Sequence, residues 1–148
     1  MGRWGKFRAL SSRDRLNLVL FSLLLPLMDV GLRVLGYRRL RAFLAARPRN
    51  LPKYEGSEIA AVKTSKHVSY LVTVASRYGL YHATCLRRSL LIWWWLRRIG
   101  IQTELRIGVK KQDGQLYAHA WIRLGNEIIS DSLDVERNFS AFGDLPVE

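Results

Sequence analysis

The hydrophobic period of this chain changes once, at Gly100, and that change limits the folds open to it. Before Gly100 apolar residues recur at helical spacing, with Ile59, Val62, Val68, Leu71, Val72 and Ala75 on one face over residues 57–78. After it the period is two: Leu105, Ile107 and Val109 alternate with Glu104, Arg106 and Gly108. Gln112-Asp113-Gly114 is a hairpin turn signal. Residues 115–124 alternate again, with Tyr117, His119, Trp121 and Arg123 set against Ala118, Ala120, Ile122 and Leu124. Gly125-Asn126 then turns the chain into a third strand over 127–131. Helices followed by an antiparallel meander predict an α+β fold.

The second helix of this part carries the most information. Gly79 stops the helix over 57–78, Thr84 offers an N-cap hydroxyl, and a helix follows over 85–99. It is apolar nearly all round, with Arg87, Arg88, Arg97 and Arg98 confined to its terminal turns. Such a helix is central and covered on several sides. Trp93, Trp94 and Trp95 cannot share one face, so at least one must meet the N-terminal segment or a partner.

Charge divides the chain differently. Of a net +12 over 148 residues, +10 lies in residues 1–53, where twelve Lys and Arg face only Asp14 and Asp29. The apolar run over 16–28 is too short to span a bilayer, which takes about 20 residues. No small-residue cleavage site follows it. The expectation is a helix ended or kinked by Pro26, then an amphipathic helix over 29–46 with Val30, Val34, Tyr37 and residues 40–44 as its stripe. This pair either covers the domain that follows or forms a basic interfacial anchor or docking face. Residues 47–52, with two prolines, read as a boundary between an N-terminal segment (1–52) and a core (53–148). One cysteine excludes an internal disulfide and fits a reducing cytosol. The basic third adds the expectation of peripheral contact with the inner face of a membrane.

Cys85, at the proposed helix start, is the natural nucleophile. A thiol placed there meets the positive end of the helix dipole and unpaired N–H groups, both of which favour the thiolate. The same N–H groups can hold the oxyanion formed when sulfur attacks a carbonyl. Such chemistry needs an imidazole to share the proton and a carboxylate to orient it. His119 and Asp131 are the candidates, with Asp134 the alternative carboxylate. His67, on a polar stretch, and His82, three residues before Cys85, receive structural readings. No metal-ligand spacing and no phosphate-binding loop is present, so no metal and no cofactor is expected.

The blocks Cys85-Leu86-Arg87-Arg88-Ser89-Leu90, Leu96-Arg97-Arg98-Ile99-Gly100, Arg106-Ile107-Gly108-Val109 and Ala118-His119-Ala120-Trp121, in that order, resemble one group. It is the transglutaminase-like cysteine peptidases of lasso-peptide biosynthesis, the B-type leader peptidases. Ala-His-Ala-Trp is shared with transglutaminase-like domains at large; the Cys-Leu-x-Arg-Ser block is more specific. The resemblance covers about residues 65–142 and implies a transglutaminase/papain-like core, with the Cys-bearing helix against the meander. It implies removal of the leader from a ribosomally made precursor, with Cys85 as nucleophile, His119 as base and then acid, and Asp131 as orienting carboxylate. It further implies the stand-alone peptidase half, working with a separate leader-recognition protein and followed by a macrolactam synthetase of the asparagine-synthetase type. The residues themselves leave two other classes open. One is acyl transfer to an amine in place of water. The other is a non-catalytic basic module for membrane or nucleic acid, although no specific nucleic-acid motif is present.

A geometric condition attaches to the triad. Opposed residues of an antiparallel pair point to the same face. A two-residue Gly125-Asn126 loop opposes Ala120 to Asp131 and turns Asp131 away from His119. A three-residue loop through Glu127 opposes Trp121 to Asp131 and makes Asp131 a diagonal neighbour of His119. The triad therefore calls for an odd loop or one bulge between residues 124 and 131.

Overall fold

The structure, a computed structural model, describes residues 10–46 and 53–142. The expected boundary at 47–52 lies outside the described residues. Helix α1 runs over Ser12–Ala45, α2 over Glu58–Tyr78 and α3 over Cys85–Arg98. Strands β1 (Glu104–Gln112), β2 (Gln115–Leu124) and β3 (Glu127–Ile128) follow, then a short helix α4 (Val135–Asn138) and strand β4 (Ser140–Phe142). The four strands lie in the order β3-β2-β1-β4 and every pair is antiparallel. The fold is α+β.

Local chemistry explains most of these limits. Ser11 and Ser57 cap α1 and α2, their hydroxyls accepting from the Asp14 and Ala60 N–H groups at 3.1 and 3.2 Å. Asp113 and Gly114 both take positive φ, 52° and 77°, the type I′ turn that matches strand twist. Strand β4, which the sequence pattern did not suggest, pairs with the free edge of β1 through only three residues.

Two expectations about the N-terminal segment need correcting. First, Pro26 sits inside α1 and does not end it; the break falls at Gly36, with φ 74° and ψ 168°. Proline costs a helix one N–H but keeps a helical φ, whereas Gly36 adopts a conformation in which only glycine is comfortable. The turn there brings Leu40 back onto Gly31, where an added Cβ would lie 2.8 Å from the leucine methyl. Second, Val30 and Val34 are exposed, although Leu40 of the same expected stripe is buried and Tyr37 and Leu44 pack against the core; the rest of the buried face of α1 holds Leu18, Phe21, Leu25, Met28 and Asp29. His67 lies within α2, its Nε2 2.9 Å from Asp14 Oδ1, and so ties that helix to the start of α1, in keeping with its structural reading.

Helix α3 is the centre of the molecule, packed against α1, α2, β1 and β2. Two of its three consecutive tryptophans meet α1. Trp95 stands edge-on to Phe21 at 5.0 Å between ring centroids. Trp93 lies beneath the guanidinium groups of Arg41 and Arg97, at 5.7 and 5.6 Å. The main core joins these helices to one face of the sheet, through Leu105, Ala120 and Ile122. A smaller cluster of Trp121, Ile128, Val135 and Phe139 covers the other face.

Candidate active site

Cys85 is the first residue of α3 and is half-buried. The expected cap at Thr84 is not made: its hydroxyl accepts from Arg87 Nη1 at 2.9 Å and bonds no backbone N–H. The N–H groups of the first turn are thereby left uncapped by that side chain, beside the thiol. Arg87 also reaches Asp29 of α1, Nη2 to Oδ1 at 2.5 Å, and Arg33 approaches the other carboxylate oxygen at 2.9 Å. Burial alone pushes the Asp29 carboxyl up, but the hydrogen bonds from Arg87 and Arg33 outweigh it and hold it below the ordinary carboxylate range. The turn bearing Cys85 is thus fastened to α1 through one acid and one guanidinium.

His119 projects from β2 on the face of Trp121. Its ring is stacked on Trp121 at 22° between planes and 6.3 Å between centroids, and Phe139 approaches it at 5.2 Å. These aromatics limit how far the imidazole can swing. Its Nε2 is hydrogen-bonded to Asp131 Oδ2, and Asp131 Oδ1 accepts the Ser132 N–H at 2.7 Å. With Nε2 engaged, Nδ1 is the ring nitrogen that remains for a second partner. Cys85, His119 and Asp131 line one small cleft together with Thr73, Ser89 and Ser130. Asp134, the alternative carboxylate, lies instead at the start of α4, 3.5 Å from Arg137.

Asp131 reaches His119 by a route other than the one the parity argument required. The loop is even: Leu124 opposes Glu127 and Arg123 opposes Ile128 across Gly125-Asn126. Gly125 alone has positive φ, 57°, which is the type II′ pattern. The third strand is two residues long, not the five expected. Its last ladder bond runs from the Ile129 N–H to the Ile122 carbonyl at 2.9 Å. The Ile122 N–H then goes to Ser130 Oγ at 2.8 Å, where a regular ladder would use a backbone carbonyl. Two residues further along the same edge of β2, the Ala120 carbonyl accepts from Ser89 Oγ of α3 at 3.0 Å. The start of α3 therefore occupies the edge that a longer third strand would need. The chain bends away over 129–131, and the register no longer decides which way Asp131 faces. Cys85, on the helix packed against one face of the sheet, and His119, on the other face, both line the cleft at this edge.

A family model described as the transglutaminase-like superfamily matches residues 23–143, well over half of the chain. This chain belongs to the transglutaminase-like superfamily. Searches of curated proteins and of solved structures returned no match. The superfamily comprises cysteine hydrolases and transferases, and its match here begins within α1 and runs through both β-hairpins. Ser89 entered the sequence reading only as part of the Cys-Leu-x-Arg-Ser block, and neither it nor Ser130 was given a positioning role there. A buried serine in an otherwise apolar helix was the available signal for Ser89; Ser130 carried none. Among the described residues no cluster of His, Cys, Asp or Glu has the makings of a metal site.

Proposed function

We propose that the protein is a cysteine endopeptidase that removes the leader from a lasso-peptide precursor. The observation that supports this best is the shared cleft, in which a His119–Asp131 pair lies beside the half-buried thiol of Cys85. In this reading Cys85 Sγ attacks the scissile carbonyl carbon and its proton passes to His119 Nδ1. The oxyanion is held by N–H groups of the first turn of α3. The imidazolium returns the proton to the leaving amine, which departs as the new N-terminus, and water then hydrolyses the thioester with His119 as base. Asp131 holds the ring and stabilises its charged form.

The leader specificity is supported by the Cys85-Leu86-x-Arg88-Ser89 block and by the Ile107-Gly108-Val109 strand between it and His119. Consistent with that resemblance, the protein works in the cytosol with a separate leader-recognition protein, and a macrolactam synthetase closes the ring on the freed N-terminus.

The test is incubation of synthetic precursor with the protein, with and without a leader-binding partner, read by mass spectrometry. Two fragments whose masses sum to precursor plus water support the peptidase, and Cys85→Ala should abolish them while the fold persists. A joined product lacking ammonia would make the enzyme a transamidase. An unchanged precursor under every condition would point to a binding role.

A further inference from the structure

We propose that the outer face of α1 lies in the surface of an anionic phospholipid bilayer. Opposite its buried residues, α1 carries a second apolar row: Leu16, Val19, Leu23, Leu27, Val30 and Val34 are 53 to 74% exposed. Their spacing of three and four residues puts them on one line along the helix, about 27 Å long at 1.5 Å per residue. A soluble helix of a domain this size normally turns charge outward on that side. Here the one charged side chain between Arg15 and Arg33, Asp29, points inward.

Three features select lipid as the occupant. The row is wholly aliphatic and has no aromatic or hydrogen-bonding side chain of the kind that anchors a protein interface. It opens into an apolar groove of about 380 Å³ between Val19 and Leu23 of α1 and Val74, Tyr78 and Leu80, enough to receive part of an acyl chain. Charge complements the headgroups: exposed Arg13 lies at one end of the row and exposed Arg38 and Arg39 beyond the other, in a segment of net +10. The helix is long and apolar enough to cross a membrane. Crossing would however strip Leu18, Phe21, Leu25 and Met28 from the core they share with α2 and α3. Lying in the interface buries the outer row and keeps the inner one.

The test is co-sedimentation of the full chain with phosphatidylcholine vesicles and with vesicles containing phosphatidylglycerol. Partition should favour the anionic vesicles and weaken with salt. The double variant Leu23→Ser, Leu27→Ser should bind at least about tenfold less, since two leucines lose their apolar contact. Its melting curve should match the parent because both positions are exposed. Leu16→Ser with Val34→Ser, at the ends of the row, provides a second pair should the first melt early. Equal binding by parent and folded variants, or no binding to either vesicle, overturns the proposal. So does a dimer in sedimentation velocity that the variants return to monomer, because a second copy would then cover the row. None of these readouts depends on peptidase activity.

Discussion

The buried hydroxyl of Ser89 donates to the carbonyl oxygen of Ala120 at 3.0 Å, joining the helix that begins at Cys85 to the strand that carries His119. Ser89 is one turn beyond Cys85, and Ala120 is the neighbour of His119. The relative position of thiol and imidazole therefore rests on a bond one residue or one turn away from each. The Ala120 carbonyl is an edge acceptor that a strand would ordinarily fill, and here a helix fills it.

Replacing Ser89 by alanine should leave that carbonyl buried without its partner, at a cost of about 1–3 kcal/mol. The urea midpoint should fall with an unchanged slope. Under conditions where the variant is fully folded, turnover should fall more than substrate affinity, since Cys85 and His119 lose their common reference while the substrate contacts remain. A variant with parental midpoint and parental turnover would show that the bond positions nothing.

Gly108 faces His119 across the β1–β2 pair. A Cβ there would lie 2.8 Å from Trp121 Cη2 and 3.0 Å from the Ser140 backbone oxygen. Trp121 is completely buried, so its ring has nowhere to retreat. Gly108→Ala should destabilise the fold by about 1–3 kcal/mol, as overpacked cores do. It should also disturb the stacking of His119 on Trp121, visible as a shift of the imidazole proton resonances.

Asp29 predicts an acid-sensitive joint between α1 and the turn bearing Cys85. Its carboxyl titrates below the ordinary range in the folded chain, where Arg87 and Arg33 overcome the effect of burial. A group depressed in this way contributes stability that is fully present above its unfolded value, about 3.9, and is lost as pH falls through the lower folded value. Asp29→Asn should therefore be less stable than the parent at neutral pH, and the gap between the two should close below about pH 4. Denaturant midpoints measured across that range give the result; a constant gap would remove Asp29 from the acid response.

Whereas α4 and β4 were not legible in the sequence, the order of elements from α2 to β3, the Asp113-Gly114 turn and the placement of Cys85 at a helix start were. Each depends on neighbours within a turn or a hairpin, and hydrophobic period, cap residues and glycine spacing record such local demands directly. The buried face of α1 was not legible, because the helix is apolar on both sides and its pattern does not favour either. Contact with Trp95 and Arg87 of α3, more than fifty residues away, turned Phe21 and Asp29 inward. The position of Asp131 was likewise outside the reach of strand parity. Parity holds only while a ladder continues, and this ladder stops where Ser89, thirty-one residues before Ala120 in the chain, takes the edge carbonyl. Sequence alone thus determined the elements from α2 to β3 and the place of the thiol; tertiary hydrogen bonds between distant segments decided which faces meet and which carboxylate reaches the imidazole.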